Sequence, residues 1–302
     1  MPKIFPPPVR GSLSFLGMLL NTVFWFGLLM LTALLKLVSP FPAGRRFFSR
    51  CLNGIAEGWI AVNNLNLRAL NPVRWEVQGM DGLKPDEWYL VISNHQTWAD
   101  ILVLQKIFNH RIPLLKFFLK QELIWVPFLG LAWWALDFPF MKRYSEAYLG
   151  QHPEARGQDL EITRRACEKF KTIPVSVMNF VEGTRFTAAK HRRQQSPYRH
   201  LLKTKAGGIA FVMAAMGEQI HWIVNVTIVY PQGAKGLWAF LCGEVPEIKV
   251  RVETLPVTPE LRGDYFQDQA FRENFQGWLN RLWAEKVQLI QTLLAQPQSP
   301  AR

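Results

Sequence analysis

The sequence predicts an α/β body, strands alternating with helices, set behind one N-terminal membrane helix. Two observations carry the prediction. Residues 12–35 (SLSFLGMLLNTVFWFGLLMLTALL) contain no charge. Farther on, short apolar runs such as WYLVIS (88–93), IPVSVMNFV (173–181) and WIVNVTIVY (222–230) alternate with stretches of helical periodicity. Composition agrees. The chain has 302 residues, 49% hydrophobic and 13% aromatic but only 19% charged, which excludes a disordered or low-complexity protein and points toward lipid contact.

As a helix, residues 12–35 rise about 36 Å, enough for a hydrocarbon core of about 30 Å. The run is too long for a secretory signal, and FPAGRR follows it without a small-residue cleavage pattern. The expectation is a crossing helix; an interfacial helix with Asn21 and Thr22 on its weak polar side is the alternative. The net charge is +12, and Lys3, Arg10, Lys36, Arg45, Arg46 and Arg50 precede the first acid, Glu57. Basic residues bracketing an apolar run favour an anionic membrane surface over nucleic acid. Their greater density after the run puts the body in the cytoplasm, at the cell inner membrane. Cys51, Cys167 and Cys242 form no C-x-x-C pair, so neither a disulfide framework nor a zinc site is expected.

Residues 46–70 read as an amphipathic helix along the membrane surface. Trp75–Gln78 and Trp88–Ser93 read as strands, Ala99–Phe108 as a helix and Asp159–Lys171 as another. A strand follows over Ile173–Val181, a helix over Ile209–Met216 and strands over Trp222–Tyr230 and Ile248–Leu255, the last half-exposed. Phe271, Phe275, Trp278, Leu282, Leu289 and Leu293 mark one face of a long C-terminal helix, and the tail QPQSPAR reads as disordered. Leu123–Leu136 is apolar yet broken by Pro127 and Gly130, either core or a greasy surface for acyl chains.

Two constellations carry chemistry. Asn94-His95-Gln96-Thr97-Trp98-Ala99-Asp100 follows the strand WYLVIS, which places His95 at a strand's C-terminal edge, where α/β sheets bind ligands. Asp100 in the first turn of the next helix can accept the imidazole Nδ1–H, fix the tautomer and free the other nitrogen to act as general base. There is no G-x-S-x-G elbow, so direct transfer is favoured over a covalent intermediate. Phe180-Val181-Glu182-Gly183-Thr184-Arg185 also ends a strand, and Arg185 offers a planar fork suited to phosphate. Lys116 and Lys120, on one face if helical, are further phosphate or headgroup candidates; Lys190-His191-Arg192-Arg193 is a candidate for coenzyme A phosphates.

These blocks resemble the 1-acylglycerol-3-phosphate acyltransferase family of glycerolipid acyltransferases. NHQTWAD is similar to its first block and FVEGTR to its third; Phe140-Met141-Lys142-Arg143 resembles the second and Ile228-Val229-Tyr230-Pro231 the fourth, over roughly residues 75–231. The look is nearest to bacterial members of the branch that includes lysocardiolipin acyltransferase-like enzymes, with one departure at Leu201–Lys205, where relatives generally carry a proline. The resemblance implies a mixed sheet flanked by helices, a catalytic His95–Asp100 dyad, and an acceptor glycerophosphate held by Glu182, Gly183, Thr184 and Arg185 with help from Arg143. It also implies a lysophospholipid acceptor, an acyl-CoA or acyl carrier protein donor, and no metal or cofactor. The chain then divides into an anchor (1–39), an interfacial segment (40–70), an acyltransferase domain (71–260) and a C-terminal helix and tail (261–302). Another lysophospholipid as acceptor, or a non-catalytic protein binding anionic lipid or nucleic acid, are the alternatives; aromatics kept apart from the basic residues weigh against nucleic acid.

Overall fold

The structure, a computed structural model, describes residues 5–141 and 167–296. It opens with two long helices, α1 (Pro7–Val38) and α2 (Pro42–Leu70). Each starts with proline in its first turn, where the missing N–H costs nothing. The body follows as β1 (Arg74–Gln78), β2 (Tyr89–Ser93), α3 (Ala99–Phe108), β3 (Leu115–Phe117), β4 (Leu119–Lys120), α4 (Leu129–Ala135) and β5 (Phe140–Met141). Beyond residue 166 come β6 (Ser176–Phe180), α5 (Ala188–Gln194), α6 (Gly207–Met216), β7 (Trp222–Val229), α7 (Leu237–Leu241), β8 (Glu247–Pro256) and α8 (Gln269–Ala295).

Six strands form one sheet in the order β1-β8-β7-β2-β6-β3, parallel throughout except that β7 and β8 run antiparallel. The sheet is therefore mixed and flanked by helices on both faces. β2 lies at its centre between β6 and β7, and all five of its residues are buried, which is why WYLVIS shows no polar alternation. Leu90 and Ile92 pack toward α6 and α8, while Tyr89 and Val91 pack toward α3. β8 is buried in its first half and opens only toward its end, so the half-exposed strand expected there holds for its second half alone.

The expected elements over 75–78, 88–93, 99–108, 173–181, 209–216, 222–230 and 248–255 all form, within a few residues of the expected ends. Most of the expected helix at 159–171 and of the tail lies outside the described residues. The helical placement of Lys116 and Lys120 is wrong. Both sit on strands: Leu115 is buried and β3 adds to the sheet beside β6. Lys116 is buried and donates to Leu136 O at 2.7 Å.

Residues 123–136 form a break. A 3₁₀ turn (Gln121–Trp125) is followed by Phe128, which adopts φ +61° at the start of α4. A Cβ on Gly130 would meet Ile124 O at 1.9 Å, so only glycine allows this close return. The segment leaves Trp125, Phe128, Leu131 and Trp134 exposed beside α1, where the Phe26 and Phe128 rings meet edge to face.

α1 has the length and hydropathy to cross a membrane. Its packing is inverted relative to the body: Arg10, Ser14, Asn21 and Thr32 are buried, whereas Leu20, Phe24, Leu31, Leu34 and Leu37 are exposed. Asn21 Nδ2 donates to Asn63 Oδ1 and to Trp59 O, each at 2.9 Å, Trp59 Nε1 donates to Thr22 Oγ1, and Asn66 Nδ2 donates to Ser14 O. Both ends of α1 rest on the body. Gly11 lies against Cys242 and Trp238 near its start, and Lys36 pairs with Asp137 at 2.5 Å near its end.

Candidate active site

β2 and β6 are parallel neighbours, with Ser93 opposite Phe180, so both motifs leave the sheet at the same edge. Backbone bonds then stitch them together. The His95 N–H donates to Glu182 Oε1 at 3.0 Å, and the Phe186 N–H donates to His95 O at 2.7 Å. The His95 ring stacks on Phe180, centroids 3.8 Å apart and planes 12° from parallel. Two segments 87 residues apart thus hold one imidazole from both sides.

Asp100 fixes the ring's rotation. It is fully buried, and its Oδ2 lies 2.8 Å from His95 Nδ1 while accepting the backbone N–H groups of Gln96 at 2.6 Å and Thr97 at 2.9 Å. The backward bond from Asp100 to the Thr97 N–H is one half of a capping box at the start of α3. Thr97 does not complete the box as a plain N-cap: its hydroxyl donates to Lys235 O at 2.7 Å. A carboxylate held this way accepts the Nδ1–H tautomer, and among the described residues no hydrogen bond engages Nε2.

The EGTR turn is built around Glu182 and Gly183. Gly183 adopts φ +68°, a left-handed conformation that side chains resist, so the turn needs glycine there. Glu182 is fully buried, and its second oxygen accepts the Leu202 N–H at 2.7 Å. Burial pushes the Glu182 carboxyl up to about 7, against the two backbone donors and the Lys286 ammonium, which favour its ionised form. Lys286, wholly buried on α8, donates to Val226 O at 2.6 Å and Thr227 Oγ1 at 2.9 Å, and burial lowers it to about 7.

Arg185 lies over the exposed Trp98 ring, 4.6 Å from its centroid. Lys190, on the first turn of α5, donates to Thr184 Oγ1 at 2.7 Å and to Arg185 O at 3.1 Å. The loop therefore presents a guanidinium and an ammonium side by side at the edge that carries His95. His95, Asp100, Glu182, Gly183, Thr184 and Arg185 come together; Arg143 lies outside the described residues. Arg192 and Arg193 are exposed on α5. Among the described residues no cluster of His, Cys, Asp and Glu is placed to hold a metal.

Four residues within the sequence blocks carry site geometry for which the sequence suggested no role. Phe180 supplies the stacking face and Trp98 the shelf for Arg185. Asn94 pairs with Ile228 through both side-chain atoms, at 2.9 Å each, locking the start of the motif to β7. The Tyr230 hydroxyl donates to Asp100 Oδ1 at 2.7 Å.

Residues 74–231 match the Acyltransferase family. The 1-acyl-sn-glycerol-3-phosphate acyltransferase alpha proteins of Ovis aries and Homo sapiens are each 30% identical over 122 residues, which is 40% of this chain. The match spans 38% of the length of each of those relatives. Among solved structures, the chain is similar to the 1-acyl-sn-glycerophosphate (LPA) acyltransferase PlsC from Thermotoga maritima, with a TM-score of 0.58 and 17% identity over 96% of this chain and 97% of that one. At that identity the likeness concerns the fold.

Proposed function

The chain belongs to the acyltransferase family, and from that premise we propose that it moves an acyl group from a thioester, acyl-CoA or acyl carrier protein, to the free hydroxyl of a lysophospholipid. The acceptor we favour is 1-acyl-sn-glycerol 3-phosphate, giving phosphatidic acid. The observation that carries the reading is the imidazole whose Nδ1 is 2.8 Å from buried Asp100 and whose backbone is tied to the loop bearing Arg185.

In this mechanism His95 Nε2 takes the proton of the glycerol hydroxyl as that oxygen attacks the thioester carbonyl. Asp100 stabilises the imidazolium that forms. The tetrahedral intermediate collapses, the carbon–sulfur bond breaks, and the departing thiolate takes the proton back from His95. Arg185 forks onto the acceptor phosphate, with Lys190 and Thr184 holding the loop and the Gly183 turn bringing backbone close. Glu182 takes a different part from the direct contact implied by the resemblance. Both its oxygens are occupied by backbone N–H groups, so it sets the distance between the His95 and Arg185 loops and does not reach the phosphate.

The body is assigned to the cytoplasmic side of the cell inner membrane. The two ends of α1 resting on the body favour the interfacial alternative, a helix pair bedded in one leaflet, over the crossing helix expected for 12–35. An impermeant thiol label on a cysteine placed at residue 5 is then reached from the body's side of the membrane; labelling from the opposite side alone restores the crossing helix.

The test of function is an assay of purified protein with labelled lysophospholipids and both thioester donors. Lysophosphatidic acid should be acylated fastest. Faster acylation of lysophosphatidylglycerol, which shares the glycerophosphate, would transfer the assignment to that acceptor. No acylation of any acceptor with either donor would remove the enzyme reading.

A further inference from the structure

We propose that Tyr230 is a positioning residue that, through Asp100, sets the pH at which the His95–Asp100 dyad becomes active. This rests on the acyl-transfer reading above.

Tyr230 follows directly on β7, the strand beside β2, so its phenol arrives at the motif edge from the side opposite β6. The residue is buried, and its hydroxyl donates to Asp100 Oδ1 at 2.7 Å. Oδ2 already serves His95 Nδ1 and the N–H groups of Gln96 and Thr97. Tyr230 is therefore the donor on the oxygen that His95 does not use. Burial and the Asp100 charge push the phenol well above its ordinary value, so it stays protonated and donates across the working pH range.

A donor on a carboxylate drains charge from it. With Tyr230 present the carboxylate shares its charge between the phenol on Oδ1 and the imidazole on Oδ2; without it the charge faces the imidazole alone. Loss of the phenol therefore moves the acid limb of the rate profile upward. The other charged groups around the dyad act differently. Glu182, on the loop after β6, engages the His95 backbone, and Arg185 and Lys190 lie on the acceptor side. Lys286 approaches from α8 beneath β7, bonded to Val226 and Thr227. Among the described residues none of these four side chains bonds to the Asp100 carboxylate. A phenol placed only to fill space would leave the profile where it is.

The experiment compares wild type, Tyr230→Phe and the protein carrying 3-fluorotyrosine at 230, each full-length, by kcat/KM for lysophosphatidic acid across pH. Tyr230→Phe should move the acid limb up by about half a unit to one unit and lower kcat about tenfold, with KM for both substrates unchanged. Fluorotyrosine, a stronger donor of the same shape, should move the limb down. In an Asp100→Asn background Tyr230→Phe should cost less than twofold further. An unmoved limb in both altered proteins, or the same tenfold loss in the Asp100→Asn background, overturns the assignment. A wild-type protein whose transfer does not depend on His95 fails the functional reading instead, so the two failures are distinct.

Discussion

The motif-bearing edge of the sheet and the α1–α2 pair solve opposite problems with the same bonds. In the body, apolar side chains are inside, and the few buried polar groups at the edge each have named partners: Asp100 with four donors, Glu182 with two backbone N–H groups. In the helix pair the polar groups Ser14, Asn21, Thr22 and Asn63 face inward while Leu20, Phe24 and Leu31 face out. A water-facing helix is not built that way. The helix pair also buries an apolar seam of Leu29, Ala33, Leu52, Ala56 and Ile60, so its inward asparagines add to apolar packing while its outward apolar face has the character of a lipid-facing surface.

Substitutions sort by which side of this comparison they strike. Asp100→Asn places an amide where three donors converge and denies His95 its counter-charge; kcat should fall by about two to four orders of magnitude with membrane association unchanged. A fall under tenfold would make Asp100 a helix-start charge and nothing more. Phe24→Asp attacks the other region. It puts a charge on an exposed position of α1, at a cost of about 2.5–3.5 kcal/mol at the centre of an apolar layer. Vesicle partitioning should drop about a hundredfold, while turnover on detergent-dispersed substrate survives. Unchanged partitioning would mean that this face does not meet lipid.

Arg185→Lys keeps charge and loses the fork lying over Trp98. The expected loss is about ten- to a hundredfold in kcat/KM, appearing as a higher KM for lysophosphatidic acid with the thioester KM little changed. A defect confined to the thioester KM reassigns Arg185 to the donor. The smallest effect concerns stability. Glu182 is raised from 4.5 to about 7 in the fold, so its contribution is fully present below pH 4.5 and is lost as pH rises toward 7. Glu182→Gln removes that slope. Melting of the variant should therefore decline less than wild type between pH 4.5 and 7; parallel curves would show that burial does not govern this carboxyl.

Much of the fold was legible because strand runs and helix periods are local. The Leu90/Ile92 and Tyr89/Val91 division, two faces of one central strand, follows from an apolar run of the right length. The His95–Asp100 pair was legible for the same reason: the two sit five residues apart across a strand-to-helix turn. What local pattern could not reveal was who else reaches them. Tyr230 is 130 residues from Asp100, and only the pairing of β7 with β2 brings it there. The resemblance implied a phosphate contact for Glu182; its burial and its two backbone bonds favour a brace between the two loops. Lys116 and Lys120 were misread because spacing of four suggests a helix, whereas Lys116 lies on β3, beside β6 in the main sheet, and Lys120 on β4, paired with β5 in a separate two-stranded sheet. Length alone does not separate a crossing α1 from one lying in a single leaflet, since both kinds of helix share composition; the contacts of its two ends with the body favour the second.

The most direct test of the account is His95→Ala in purified, full-length protein, followed by thiol release from acyl-CoA and by mass detection of phosphatidic acid. Both signals should fall at least about a thousandfold together, with thermal stability and vesicle binding held near wild type. If His95→Ala keeps more than a few per cent of either signal, the imidazole is not the base, and the chemistry assigned to this edge of the sheet is wrong.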